Sequence, residues 1–243
     1  MDLPGIEVRM VDRCGSTNAV LLAEGKPDVL LVAEEQTAGR GRRGRRWYSA
    51  PGAGVTFSLS AAIRRPAREF AGLSLVAGVG AARALRALGV AQAALKWPND
   101  LVVGGAKLGG ILVETRGSLA VLGIGINCRR DDALEARLRR PMAALHEFVA
   151  VDRNRLIERV ARSLLEALAM FQAHGLEPLR GEWERMDAHA GKRLRVRLAD
   201  GRVLTGFARG LDGDGGLRLQ TRSGLRAVRS GRVSLANKRA RPA

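Results

Sequence analysis

Cysteine is nearly absent from this 243-residue chain: only Cys14 and Cys128 occur, far apart in sequence. That excludes a disulfide framework and a thiolate metal cluster. Both thiols are expected to be reduced and packed, in a cytoplasmic protein. Aromatic residues amount to 4%, so the core must be built from Leu, Val, Ile and Ala. No run of about 18 apolar residues is present, and no transmembrane helix is expected. The opening stretch, MDLPGIEVRMVDRCGS, carries acids early and no apolar block, unlike a secretory signal. Long polar tracts and internal repeats are missing too, which argues against disorder.

Acidic residues are the other shortage. Against 41 Lys and Arg stand 24 Asp and Glu, a net charge of +17. Such a balance points to anionic partners: nucleic acid, phosphorylated ligands, membranes or acidic proteins. Arginine that merely fills solvated positions is the alternative reading for much of it. From Asp187 to Ala243 the bias sharpens to fourteen Lys and Arg against four Asp and no Glu. Apolar residues make up 46%, enough for a real core.

Patterning divides the chain in two. Alternation at Ile6 to Val11, an apolar run at Val29 to Ala33, and Val55 to Ser60 read as strands. Ser16-Thr17-Asn18 precedes a short helical stretch ending at Glu24, as a cap does. Leu73 to Leu88 and Arg153 to Ala173 have helical spacing, stopped by Gly89 and by His174-Gly175. Short strands flank Pro98-Asn99-Asp100, Gly104-Gly105 reads as a hairpin turn, and Lys107 to Thr115 and Leu119 to Ile126 follow as strands. A short helix near Pro178 to Met186 closes this part. After Asp187, turn signals at Asp200-Gly201, Asp212-Gly213 and Ser223-Gly224 recur about every 11 residues, as in a small antiparallel barrel or sandwich. The expected fold class is α+β: a mixed β-sheet flanked by helices over residues 1–187, then a small β-barrel over 188–243 with a short basic tail.

Five segments suggest chemistry. In Gln36 to Trp47, QTAGRGRRGRRW, three glycines alternate with five arginines. Glycine lets backbone N–H groups approach an anion, and arginine supplies forked donors for phosphate or carboxylate. Their mutual repulsion favours a loop that stays mobile until an anion arrives. The same composition suits non-specific nucleic-acid binding. KWPND spans Lys96 to Asp100. In KLGGILVE, Lys107 to Glu114, a lysine opens an apolar strand beside two glycines, either as a cation aimed into a cleft or as a strand-end lysine reaching solvent. LGIGIN, Leu122 to Asn127, strips one strand face of side chains for a flat ligand or for a neighbouring backbone. Ser16-Thr17-Asn18 could hydrogen-bond a ligand or simply cap a helix.

In this order, STN, GRGRRGR with a following Trp, KWPND, KLGGILVE and GIGIN resemble the catalytic domain of biotin–protein ligases, over roughly Val11 to Asn127. The match extends more loosely to DRNRL at Asp152 and to EWERMD before the C-terminal part. The resemblance implies a catalytic fold like that of class II aminoacyl-tRNA synthetases, followed by a Src-homology-like barrel. It implies an ATP-dependent ligase that makes biotinyl-5′-AMP and transfers biotin to a lysine of a biotin carboxyl carrier domain, with magnesium. Carried over by position, Ser16, Thr17 and Gln36 would bond the ureido ring. Gly39, Arg40 and Arg42 would lie near the carboxylate and α-phosphate, and Gly110 and Gly123 would make room for ring and tail. Lys107 would bridge carboxylate and phosphate, so Arg42 and Lys107 carry the catalytic charge. Arg45, Trp47, Asn99, Asp100 and Asn127 would meet the nucleotide. Magnesium ligands are not indicated. Many relatives carry an N-terminal helix-turn-helix repressor domain; here the first strand begins by Ile6, so operator DNA is not an expected partner. A lipoate or other acyl–protein ligase of the same superfamily is one alternative, and a nucleic-acid-binding protein the other.

Overall fold

The structure is a computed structural model and describes residues 1–48, 50–138, 140–150 and 152–236. The basic tail, with Lys238, Arg239 and Arg241, lies outside the described residues. The chain runs β1 (Glu7–Cys14), α1 (Thr17–Glu24), β2 (Val29–Gln36), β3 (Gly54–Ala62), α2 (Leu73–Ala87), β4 (Ala94–Lys96), β5 (Asp100–Val103), β6 (Ala106–Arg116) and β7 (Leu119–Asn127). Then come α3 (Asp132–Leu138), α4 (Arg153–His174), α5 (Glu177–Arg185) and strands β8 (Arg193–Arg197), β9 (Val203–Leu211), β10 (Leu217–Thr221), β11 (Gly224–Val228) and β12 (Arg232–Leu235).

The first seven strands form one sheet in the order β1-β2-β3-β7-β6-β5-β4. Only β1 and β2 pair in parallel, so the sheet is mixed, as expected. Strand β2 shows why its apolar run is unbroken. Leu30 and Val32 face the main core with α2 and α4, while Val29 and Leu31 face a smaller cluster with Leu21 of α1. A strand covered on both faces needs apolar residues at both phases of its alternation. Helix α2 is apolar nearly all round because it lies between the sheet and α4. A Cβ on Gly80 would meet the Ser163 carbonyl at 2.9 Å, so glycine lets the two helices close. The segment Ala67–Ala87 is long and apolar enough to cross a membrane, but 67% of it is buried inside the protein, as befits a core helix. In α4, Leu156, Val160, Leu164, Leu168 and Phe171 recur on one buried stripe, and Asp152 accepts a hydrogen bond from the Arg155 N–H at 2.9 Å to cap it.

The C-terminal strands form a second, antiparallel sheet in the order β11-β10-β9-β8-β12. Its apolar face, with Leu194, Val196, Leu211, Leu217 and Leu219, joins the main core rather than forming a separate one. The buried Trp97 Nε1–H donates to the Gly215 carbonyl at 3.0 Å, and the Leu211 N–H donates to Glu184 at 2.8 Å. These contacts bring one end of the second sheet beside the loops of the first.

Candidate active site

The floor of the site is a pair of strands bared of side chains at Gly110, Gly123 and Gly125. Strands β6 and β7 pair so that Gly110 lies opposite Gly125 and Leu112 opposite Gly123. The bared space is filled, but by the chain itself. A Cβ on Gly125 would lie 2.3 Å from the Trp47 indole, and one on Gly110 would lie 3.3 Å from it. A Cβ on Gly123 would lie 2.3 Å from the Asn18 side chain. The alternating glycines of LGIGIN thus seat Trp47 and Asn18, which in turn shape the cavity above.

Trp47 ends the Arg/Gly segment, which closes into a short hairpin. The Trp47 N–H donates to Gly39 O at 2.9 Å, and the Gly41 N–H donates to Arg45 O at 2.7 Å. Arg43 takes a left-handed φ of 59° at the tip. The hairpin is tied outward at three points. Arg40 pairs with Glu114 at 3.1 Å, Arg46 donates to the Thr37 carbonyl at 2.8 Å, and Arg43 donates to Ser230 of the C-terminal module at 2.9 Å. Like-charge repulsion within the segment is met by these partners, two of them far away in sequence.

At one end of the cavity lies a compact polar cluster. Ser16 caps α1, accepting from the Ala19 N–H at 3.5 Å. Gln36 Oε1 accepts from the Thr17 N–H at 2.8 Å and lies 3.0 Å from the Thr17 hydroxyl. Thr17 Oγ1 is 2.6 Å from Ser58 Oγ, which is 2.6 Å from Asn18 Oδ1. Asn18 Nδ2 donates to Leu112 O at 3.1 Å and to Glu114 at 2.9 Å. Three of these contacts, Gln36–Thr17, Thr17–Ser58 and Ser58–Asn18, must share two hydroxyl protons, since Ser and Thr carry one each. The cluster therefore has more acceptors than protons and is disposed to receive N–H donors.

The other end is cationic. Lys107 Nζ contacts Asp100, and its backbone is stitched on both sides. The Lys107 N–H donates to Pro141 O at 3.0 Å, and Lys107 O accepts from the Ala143 N–H at 2.9 Å. Burial holds the Lys107 ammonium below its ordinary pKa; Asp100 pulls it back up, while Arg140 and Arg45 push it down further. Burial likewise lowers Arg42, helped by Arg43 and Arg45. The Asn99 amide donates to Ile111 O at 2.6 Å and fixes the KWPND turn against β6.

Most of these groups, though not Ser58 or Glu114, line a cavity of about 520 Å³, the size of a small-molecule site. It contains Ser16, Thr17, Gln36, Arg40, Arg42, Arg45, Trp47, Asn99, Asp100, Lys107, Gly110 and Gly123, which local motifs had singled out. Two other candidates lie elsewhere. Gly39 borders a smaller neighbouring pocket, and a Cβ there would strike Trp47 O at 2.5 Å, so it serves the hairpin's closure. Asn127 borders an adjacent cavity on the far side of Trp47. Its amide donates to Lys107 O and Ala143 O, both at 3.1 Å, so it positions Lys107 from behind. Sequence reading missed the roles of Asn18, Ser58 and Glu114, and also Arg140 and Arg232, which line the cationic end. Asn18 and Glu114 lay inside quoted motifs; no local signal marks Ser58, Arg140 or Arg232.

Comparison with known proteins agrees with this geometry. The family model described as biotin/lipoate A/B protein ligase matches residues 11–131, and that of the biotin protein ligase C-terminal domain matches 189–236. The chain is 35% identical to the bifunctional ligase/repressor BirA of Escherichia coli (strain K12), over 96% of this chain and 75% of that one. It is also 35% identical to the biotin--[acetyl-CoA-carboxylase] ligase of Mycobacterium tuberculosis, over 93% and 88% respectively. A solved biotin protein ligase from Aquifex aeolicus, in complex with biotin and ATP, superposes with a TM-score of 0.83 at 27% identity, covering 96% of this chain and 99% of that one. With both of its parts matched and its cavity built from the motifs that carried the resemblance, this chain belongs to the biotin protein ligase family.

Proposed function

We propose that this protein joins biotin to a lysine of a biotin carboxyl carrier domain in two steps, using ATP. A biotin carboxylate oxygen attacks the α-phosphorus, the bond to the bridging oxygen breaks, and pyrophosphate leaves. The carrier lysine's amine then attacks the carbonyl of the resulting mixed anhydride, and AMP leaves. The observation that carries this reading is one cavity with an acceptor-rich cluster at one end and clustered cations at the other. Biotin's ureido ring offers two N–H donors, which suit Thr17 and Gln36 at the cavity wall, with Ser58 behind Thr17. The dithiolane of lipoate offers none, and a site built for a missing hydrogen-bonding group rejects the analogue strongly.

Bringing a carboxylate to a triphosphate is opposed by like charge, so the first step needs positioning and fixed positive charge more than a nucleophilic side chain. Lys107 spans carboxylate and α-phosphate; Arg42 neutralises charge there. Arg45, Trp47, Asn99 and Asp100 meet the nucleotide, while Gly110 and Gly123 let Trp47 and Asn18 sit low enough to leave room for ring and tail above them. Arg40 and Gly39 shape the hairpin over biotin, with Asn127 behind Lys107. Magnesium usually takes one or two carboxylates with phosphate oxygens rather than a protein cage. Asp100, the one carboxylate lining this cavity among the described residues, fits that donor set, and the ion would share the phosphate charge. The division is residues 1–187 for catalysis and 188–243 as a module that closes the cationic end.

The test is exchange of labelled pyrophosphate into ATP with biotin, with lipoate and with neither. Exchange with biotin alone is expected. Exchange with lipoate alone would move the chain to an acyl ligase of the sister kind. Folded protein that exchanges with neither would remove the ligase reading, and its basic surface would then be tested against nucleic acid.

A further inference from the structure

Two arginines at the cationic end have no role in the motifs above. Arg140 follows α3, and Arg232 opens β12 of the C-terminal module; both line the same cavity as Lys107. Arg140 is held in place by its neighbours: the residue after it, Pro141, accepts from the Lys107 N–H, and Met142 forms a bridge with Lys107. Its Nε is buried and has no hydrogen-bond partner among the described residues. A guanidinium donor desolvated without an acceptor is costly, and an anion entering the cavity would supply the missing acceptor. Arg140 is near enough to Asp100, Arg45 and Arg232 for all three to perturb it, and burial weighs on it most. Arg232 stands at the near edge of the module, two residues after Ser230, which receives the Arg43 hydrogen bond. The hairpin, the segment after α3 and the module thus converge with one sign of charge. Among the described residues Asp100 is the only carboxylate lining the cavity, and Lys107 already engages it.

Resting on the proposed adenylation, we propose that Arg140 and Arg232, with Arg45, form a diphosphate receptor that holds the β- and γ-phosphates of ATP and then the departing pyrophosphate. Forked guanidinium donors suit phosphate oxygens. Charge developing on the bridging oxygen as its bond to the α-phosphorus breaks would be met by groups already in place. The second half-reaction involves no pyrophosphate, so the receptor should matter for the first step alone. The C-terminal module would thereby supply a side chain to the chemistry as well as packing.

The experiment compares wild type, Arg140→Gln, Arg232→Gln, the double variant and Arg140→Lys, with Arg229→Gln as a control outside the cavity, where Arg229 pairs with Asp214. Pyrophosphate binding is titrated directly by calorimetry. The KM for pyrophosphate and for ATP is read from exchange, and transfer is measured from supplied biotinyl-5′-AMP to a carrier domain. Each single variant should raise both KM values about tenfold, about 1.4 kcal/mol. The double variant should raise them more, Arg140→Lys should recover part of the loss, and transfer should stay within about twofold. Unchanged pyrophosphate affinity in the double variant, or a loss of transfer equal to the loss of exchange, overturns the proposal. Wild type that binds pyrophosphate better than the double variant but shows no biotin-dependent exchange would support the receptor and sink the ligase reading instead.

Discussion

Two glycines on adjacent strands make a controlled test of how the site floor is built. Gly109 and Gly125 both lie in the β6–β7 ladder, and neither has a positive φ. Alanine is therefore allowed at both by backbone conformation, and only space distinguishes them. At Gly109 an added Cβ would stand 2.6 Å from the Gly125 carbonyl oxygen, which is strand backbone and can yield only if the ladder opens. At Gly125 it would stand 2.3 Å from the Trp47 ring, which ends a surface hairpin and can swing away. Overpacking against a fixed neighbour costs about 1–3 kcal/mol, and we place Gly109→Ala at the top of that range. For a protein of this size each kcal/mol shifts Tm by about 2–4 °C, so Gly109→Ala should melt about 6–12 °C lower. Gly125→Ala should lose less than about 1 kcal/mol and melt within about 4 °C of wild type. Its signature is optical. Trp97 and Trp183 are 3% and 2% exposed, so a red shift in tryptophan emission reports Trp47 leaving the floor. Biotin-dependent exchange should fall at least about tenfold, the equivalent of one lost contact of about 1.4 kcal/mol. Equal losses of Tm in the two variants, with emission unmoved in Gly125→Ala, would refute the seating of Trp47 on β7.

Other perturbations separate the remaining parts. Asn18→Ala takes one acceptor from Ser58, which keeps Thr17, and the amide donor from Glu114, which keeps Arg40; it should cost about 1 kcal/mol in thermal unfolding and raise the KM for biotin more than that for ATP. Arg42→Gly should loosen the hairpin's hold on the adenylate, and biotin labelling of a bystander protein on a streptavidin blot is the readout; an unlabelled bystander would count against that role. The pair Asp187 and His189 gives opposed pH effects near the module's base. Burial raises Asp187 from 3.8 to about 6 and lowers His189 from 6.5 to about 4. The folded form then holds the Asp187 proton that the unfolded chain releases, so that group's contribution falls as pH rises from about 4 to 6. The unfolded chain protonates His189 where the folded form does not, so its contribution rises from about pH 4 to 6.5. The two largely cancel in wild type. Relative to it, the Tm of Asp187→Asn should climb with pH across that window and that of His189→Gln should decline, and parallel curves would refute the opposition.

What the sequence disclosed, and what it hid, follows from how far each contact reaches. The helices α2 and α4 were readable because a helix writes its buried face at three- and four-residue spacing, and α2 runs Leu73–Ala87 and α4 Arg153–His174 against expected spans of Leu73 to Leu88 and Arg153 to Ala173. The Arg/Gly hairpin, the KWPND turn and the Gly104-Gly105 turn were readable because each is a continuous loop with its own chemistry. The parallel pairing of β1 with β2 was not, since the alternation of each strand is the same in either direction. The glycines of β7 read as a bare face open to a flat ligand or to a neighbouring backbone, whereas the side chains of Trp47 and Asn18 occupy it; alternation announces an empty face but cannot say what returns to fill it. The same limit explains the polar cluster. Ser58 is 0% exposed on a central strand and reads as an interruption of an apolar run, yet it links Thr17 to Asn18 from 41 and 40 residues away. Asn18 reaches Glu114 across 96 residues because β7, lacking a side chain at Gly123, lets it pass. The short motifs therefore mark where ligand-facing loops sit. The other groups around the cavity, Ser58 behind Thr17 and Arg232 at the cationic end, come from a strand and from the C-terminal module, brought there by register and packing.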